Sequence, residues 1–302
     1  MNRETTGTIL ALLTAVLSGF AIPINKTFIT GLDPTVFTAV RALIIGIVFF
    51  LIASYSSKFD FKKFKKVSWS YLAAIGIIGG GFAFLLYFTG LKLTTSGRGA
   101  FLHKTLPIYV AILAYIFLKE KIPKKQSYAL GVMVLGTIIL YAAKIGPAAL
   151  WSNPSLGDIL IIGATILWAV ESVIARKVML KGETNFVVGF GRMFIGAIVL
   201  WAVMLLTGKV DVLLSLSAIQ IRNLFISTAI LSGYVLCWYW SIKLINVSKA
   251  AALLLLSPVI SIIIGILWLG EPAPPLQLLG SALILAGAYL VTKIRSEFTT
   301  GL

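Results

Sequence analysis

Ten stretches of apolar residues, separated by short polar connections, dominate this chain of 302 residues. A helix needs about 20 residues to cross a hydrocarbon core about 30 Å thick, and the stretches meet that length. Hydrophobic residues make up 59% of the chain and charged residues 12%, against roughly 45–50% and 25% in an average soluble protein. The sequence therefore predicts an all-α integral membrane protein with transmembrane helices at 7–26, 35–56, 69–91, 95–118, 126–144, 157–176, 186–207, 222–243, 249–270 and 276–293.

The positive charges fall mainly on one side of the predicted membrane. Lys and Arg number 26 against 10 Asp and Glu, and 17 of the 26 lie on the N-terminal side, with 6 on the other side. Because positively charged loops stay in the cytoplasm, we predict a multi-pass protein of the cell membrane with both termini cytoplasmic. This topology accounts for the basic composition, so no nucleic-acid partner is expected.

The second half of the chain repeats features of the first at a constant offset of 151 residues. The offset aligns Arg41 with Arg192, Arg98 with Lys249, Pro107 with Pro258, Glu120 with Glu271, Gln126 with Gln277, and Gly136 with Gly287. A single offset over a whole half indicates duplication, so we predict two five-helix repeats, 1–151 and 152–302. Five is an odd number, so the second repeat must be inverted in the membrane. Inverted repeats support alternating access to a site near the membrane midplane.

Several motifs make the chain resemble the drug/metabolite transporter superfamily and its EamA-type ten-helix branch. They are Arg41 and Arg192, Leu106-Pro107-Ile108 with Leu118-Lys119-Glu120, Ser257-Pro258-Val259 with Leu269-Gly270-Glu271, and Trp168-Ala169. The resemblance covers essentially the whole chain. It implies proton-linked or exchange transport of small metabolites, often amino-acid export, while other branches move nucleotide sugars, sugar phosphates, choline-like cations or lipid-linked sugars. The pair His103-Lys104 departs from the family pattern and suggests a specialised substrate.

Few ionisable side chains lie inside the predicted spans, where each costs several kcal/mol and usually faces a cavity or a partner. His103 and Lys104 are near the middle of the fourth span, beside the helix-loosening Pro107, and could bind a substrate anion or a proton. Lys104 could instead be satisfied by a backbone carbonyl or by Glu171. Glu171 is the only carboxylate well inside a span, and it is either a proton-coupling acid or half of a static salt bridge.

The two aligned arginines, Arg41 and Arg192, each lie about two turns into a helix. They could gate opposite ends of the cavity or simply bond backbone carbonyls. The aligned prolines, Pro107 and Pro258, are assigned the same gating or structural role. Arg98 and Lys249 lie near the interface, where snorkelling explains them, although Arg98 could reach the cavity.

Aromatic side chains are the other candidates for substrate contact. Tyr87, Trp168, Tyr234 and Trp238 could form a box around an organic cation, although such rings more often pack or mark the membrane interface. The glycines at 76 and 79–81 lie in an apolar span without a phosphate-loop signature, so we expect them to allow close helix approach.

These features favour a secondary transporter, an exporter or exchanger of small polar metabolites that are amino-acid-like and anionic or zwitterionic. Its expected partners are the substrate, the bilayer, and protons or a counter-substrate. An organic-cation transporter and a lipid-linked carrier flippase remain alternatives. An enzyme is not expected, because His103 and Glu171 alone can hardly supply a nucleophile, a base and an orienting group. With one cysteine, Cys237, and one histidine, no disulfide within the chain, metal centre or cofactor is expected.

Overall fold

A computed structural model describes residues 2–28, 32–56 and 67–296, and this part of the chain contains helices and connections but no strand. It includes ten helices long and apolar enough to cross a membrane, which confirms the predicted all-α membrane fold. They are α1 (Arg3–Phe28), α2 (Pro34–Ser56), α3 (Trp69–Leu93), α4 (Ser96–Leu118), α5 (Lys124–Ile145), α6 (Leu156–Leu180), α7 (Asn185–Leu206), α8 (Ala218–Leu244), α9 (Val247–Trp268) and α10 (Pro275–Lys293). The basic segment predicted between the second and third spans lies at 57–66, outside the described residues.

The helices start where local capping allows it. The helix α8 begins four residues before the predicted 222, because Ser217 and Gln220 form a capping box at its N-terminus. Ser155 and Asp158 do the same for α6. Such reciprocal bonds satisfy N–H groups that the helix itself cannot pair.

The helices pack in pairs that are related to one another. The helix α1 packs against α8 and α9, and α6 packs against α3 and α4. The second set of pairs follows from the first when every helix is replaced by the one five positions away in the chain. The remaining close pairs, α2 with α7 and α5 with α10, each join two helices that are five apart. In the last pair a Cβ atom on Gly136 would lie 2.7 Å from the Gly280 carbonyl oxygen, so glycine permits the close approach.

Within the described ranges, four helices depart from regular α geometry near their middles. The helix α3 contains a π-helical stretch at Gly76–Phe82, and α7 contains one at Gly191–Ile195. The helix α4 stops at His103 and resumes at Leu106, while α9 passes through a 3₁₀ turn at Leu254–Leu256. In α4 and α9 a proline, Pro107 or Pro258, opens the second segment. Proline lacks the N–H that would continue the helix, which explains the interruptions.

The two ends of the helix bundle are distinguished by the chain segments they carry. Both ends of the described chain meet at what we call the terminal face, where Ser296 donates its N–H to the Glu4 carboxylate. The opposite end, which we call the linker face, carries the short helix Pro147–Trp151 between α5 and α6. The sides of the bundle expose large apolar residues such as Leu206 and Leu267, as a lipid-facing surface requires.

Candidate functional site

The interruptions in α4 and α9 face each other and place a lysine at the centre of the bundle. The Lys104 Nζ, between the two segments of α4, donates at 2.7 Å to the Oγ of Ser257, the first residue of the second segment of α9. A small cavity of about 20 Å³ adjoins this bond. Its lining includes Ser18, His103, Lys104, Pro107 and Tyr234. The predicted site residues His103, Lys104, Pro107 and Tyr234 are therefore neighbours, and Ser18 and Ser257 are polar contributors that sequence reasoning missed.

Trp168 is the centre of an aromatic cluster next to this cavity. Its ring lies 5.3 Å from that of Tyr87, 5.2 Å from that of Phe84 and 4.9 Å from the His103 imidazole, centroid to centroid. The Trp168 indole also donates to the Gly79 carbonyl at 2.9 Å, which fixes its orientation. The structure thus groups Tyr87 and Trp168 as predicted.

Trp238 is buried at 2% exposure in α8. Among the described residues, neither Trp238 nor Tyr234 makes a ring contact with Trp168. The predicted box of four aromatic rings is therefore incomplete.

Glu171 is fully buried and takes part in a three-residue network. Its Oε2 lies 3.6 Å from the Arg192 Nη1, and its Oε1 accepts a hydrogen bond from the Tyr239 hydroxyl at 2.5 Å. Arg192 also donates to the Tyr239 oxygen at 3.5 Å. Glu171 therefore pairs with Arg192, and the alternative of a salt bridge between Glu171 and Lys104 is wrong. The residue that sequence reasoning missed is Tyr239, the neighbour of the predicted Trp238.

Glycines let this network form where three helices meet. A Cβ atom on Gly79 would overlap the Glu171 side chain, and one on Gly80 would overlap the Arg192 carbonyl oxygen. The glycines predicted to permit close approach therefore do so, bringing α3 against both α6 and α7. The π-helical stretches of α3 and α7 lie at the same crossing.

Arg41, although aligned with Arg192 in sequence, has different surroundings. Its guanidinium lies 4.0 Å from the centre of the Phe37 ring and donates to the Ser227 Oγ at 2.8 Å. Arg41 is 5% exposed and Arg192 is 7% exposed. The two arginines thus fasten different helix pairs, and the gating role remains a prediction.

Arg98 and Lys249 form ion pairs at opposite ends of the bundle and do not snorkel. Arg98 pairs with Asp158 at 3.1 Å, at the linker face, and donates to carbonyls of the α5–α6 connection, so it does not reach the cavity. Lys249 is 1% exposed and pairs with Glu4 at 2.6 Å at the terminal face. The sequence feature that could have indicated these ion pairs is the acidic residue in the first turn of α1, Glu4, and of α6, Asp158.

Some buried polar atoms of the site have no hydrogen-bond partner within the described residues. They are the His103 Nδ1, the Glu171 Oε2 and the Arg192 Nε. Leaving such atoms unpaired is costly, so a bound polar molecule or water would stabilise them. No group of three or more His, Cys, Asp or Glu side chains in the described ranges is placed to hold a metal ion.

The sequence is similar to a transporter family and to individual transporters. The model of the EamA-like transporter family matches residues 5–142 and 155–293. The uncharacterized transporter YyaM of Bacillus subtilis is 29% identical over 92% of this chain and 93% of its own length. A probable terminal-alkyne amino-acid exporter of Streptantibioticus cattleyicolor is 25% identical over 66% of this chain and 64% of its own.

The fold also resembles that of a solved structure. A crystal structure superposes with a TM-score of 0.75 at 17% identity, covering 95% of this chain and 98% of that one. The family match spans most of the chain, including the helices that carry Lys104, Glu171 and Arg192. The protein is therefore a multi-pass membrane transporter that belongs to the EamA-like transporter family.

Proposed function

We propose that the protein is a secondary transporter, an exporter or exchanger of small anionic or zwitterionic metabolites, with Lys104 binding the anionic group. The observation that carries the proposal is the missing counter-ion of Lys104. Its ammonium donates to the neutral Ser257 hydroxyl, and no carboxylate of the described residues lies within 4.0 Å of it. A charge inside a membrane span is expensive even when it is only partly buried, as Lys104 is. A substrate carboxylate or phosphate would compensate it.

The charges around the cavity favour an anion over an organic cation. Lys104 lines the cavity, and the nearby carboxylate of Glu171 is already balanced by Arg192, so the positive charge of Lys104 is in excess. A cation held by Trp168 would have to compete with that arginine for the carboxylate. The positive surroundings make this unfavourable.

An apolar cavity beside Lys104 could accommodate the rest of the substrate. It has a volume of about 160 Å³ between α4 and α5, and its lining includes Phe101, Ile108, Val134, Ile138 and Trp151. An apolar protein cavity of about 150 Å³ can hold a benzene molecule. We therefore favour substrates that combine an anionic group with an apolar group of up to about six carbons. The similarity to an amino-acid exporter supports this class.

A thermal-shift panel tests the role of Lys104. Organic acids, amino acids, sugar phosphates and quaternary amines are added to the purified protein, to Lys104→Met, and to the exposed control Lys144→Met. A ligand that binds only the folded state at a hundredfold excess over Kd stabilises by about 2.7 kcal/mol. We expect acids or zwitterions to stabilise the parent and the control but not Lys104→Met. Stabilisation by amines that survives Lys104→Met would contradict the proposal.

We further propose that Glu171 couples transport to protons, because a carboxylate can exchange a proton while Tyr239 and Arg192 hold it in place. Glu171→Gln should lower uptake driven by a pH gradient into proteoliposomes, measured with the acid identified above. The same variant should keep binding that acid in the thermal-shift assay. Unchanged pH-driven uptake would remove Glu171 from the mechanism.

A further inference from the structure

The two ends of the bundle are packed differently. At the terminal face, Val247 at the start of α9 is 0% exposed and Glu120 after α4 is 4% exposed. At the linker face, the residues aligned with them by the 151-residue offset are both exposed: Ser96 at the start of α4, and Glu271 after α9. The terminal face is therefore closed around the start of α9, while the linker face is more open around the start of α4.

The Glu120 carboxylate holds the terminal face closed. It accepts hydrogen bonds from the N–H of Val247 at 3.0 Å, and from the N–H and hydroxyl of Ser248 at 3.3 and 3.0 Å. The first N–H groups of a helix have no partner within it, so this carboxylate caps α9. The Arg176 guanidinium of α6 lies 3.6 Å away. One side chain thus joins the end of α4, the start of α9 and the end of α6.

Burial raises the pKa of the Glu120 carboxyl above its ordinary value, while Arg176 and the bonds from Val247 and Ser248 act to lower it. The group is therefore held in place by specific partners and has little contact with solvent. Such an arrangement is stable only while α4 and α9 stay together at this face. Their separation would expose the carboxylate.

We propose that Glu120 and Glu271 are alternating caps: Glu120 caps α9 when the terminal face is closed, and Glu271 caps α4 at Ser96 and Gly97 when the linker face is closed. The proposal rests on the transport function proposed above and on two halves that exchange conformations, as inverted repeats do. The related packing of α1 with α9 and of α6 with α4 supports such an exchange. Each carboxylate would be exposed in the state in which the other is buried.

Cysteine labelling of the purified full-length protein tests the switch without a substrate. Two aligned positions serve as reporters, Ser96→Cys and Val247→Cys, each in a Cys237→Ala background, and the probe is a maleimide. We expect rapid labelling at Ser96→Cys and slow labelling at Val247→Cys. Suppose that the terminal face is closed in about nine of ten parent molecules and the linker face in the tenth. A tenfold change in the ratio of these two states then makes them about equally populated.

Adding Glu120→Gln should therefore accelerate Val247→Cys labelling about fivefold and slow Ser96→Cys labelling about twofold. Glu271 is exposed in this state, so Glu271→Gln should disturb the fold less than Glu120→Gln. It should lower the residual labelling of Val247→Cys, because it destabilises the opposite state. This second variant tests the switch even if Glu120→Gln does not fold.

Two results would overturn the switch. Faster labelling of Val247→Cys with unchanged Ser96→Cys would mean that Glu120 only stabilises its own end of the bundle. If neither Glu120→Gln nor Glu271→Gln changes the labelling rate of Val247→Cys, neither carboxylate controls the terminal face. Since no substrate is present, either failure is distinguishable from a failure of the Lys104 site, which the thermal-shift panel reports separately.

Discussion

Removing one charge of the buried pair between Glu171 and Arg192 should destabilise the protein much more than removing both. The Glu171 side chain is 1% exposed and that of Arg192 is 9% exposed, with 3.6 Å between the charged atoms. Deleting one partner of a buried pair leaves an uncompensated charge and costs about 3–5 kcal/mol, whereas replacing both is often close to neutral.

The two single variants should differ from each other. In Glu171→Gln the guanidinium of Arg192 stays charged, because arginine does not release its proton in proteins. In Arg192→Met the carboxyl can take up a proton and keeps its hydrogen bond with Tyr239. We expect a loss of about 3–5 kcal/mol for Glu171→Gln. For Arg192→Met we expect about 1–3 kcal/mol.

The assay is the apparent Tm of the parent, the two single variants and the double variant, all in one detergent at neutral pH. With about 2–4 °C per kcal/mol for a large domain, Glu171→Gln should lower the Tm by about 6–20 °C. The double variant should recover at least about half of that loss. Asp211→Asn, at an exposed position, serves as the control. Additive losses in the double variant would refute the idea that the two charges compensate each other.

Two further predictions concern packing and pH. Gly80→Ala should lower stability by about 1–3 kcal/mol, because its Cβ would overlap the Arg192 carbonyl oxygen. A Cβ on Gly131 would meet no described residue within 4 Å, so Gly131→Ala should be neutral or stabilising in the same Tm assay. Burial acts to raise the pKa of Asp33, but the bond from Lys209 at 2.8 Å and two backbone N–H groups outweigh it and lower that pKa. The pair therefore stabilises the protein at neutral pH and is lost as the pH falls through the lowered value. Asp33→Asn should cost about 0.2–1 kcal/mol at neutral pH and nothing in acid, and an equal Tm loss at both pH values would contradict this.

The membrane fold could be predicted from the sequence because length and hydropathy determine it directly. A span needs about 20 apolar residues regardless of its neighbours, and Pro107 and Pro258 mark the interruptions of α4 and α9 by their missing N–H groups. The position of Lys104 near the middle of the fourth span follows from the same count of residues along the span. These features depend on local sequence, so one chain suffices to predict them.

The partner of Glu171 could not be predicted in this way. Most faces of these helices are apolar, so hydropathy does not tell which face meets which neighbour. The π-helical stretches also change the register of α3 and α7 beyond Gly76 and Gly191. A regular helical wheel therefore does not predict that Arg192 and Tyr239 face Glu171. The glycines at the crossing were the available signal, but they indicate close approach without naming the side chains that meet.

The charge balance between the helices predicts whether the proposed transporter favours exchange or net transport. Glu171 is compensated by Arg192, while the hydrogen-bond partner of Lys104 among the described residues is the neutral Ser257 hydroxyl. A carrier that reorients empty must move this uncompensated ammonium through a closed, apolar interior, whereas a carrier loaded with an anion does not. Exchange should therefore be faster than net transport. We expect uptake of a labelled acid into proteoliposomes to rise several-fold when the unlabelled acid is present inside. Equal rates into loaded and empty vesicles would mean that the empty carrier neutralises Lys104 by another route.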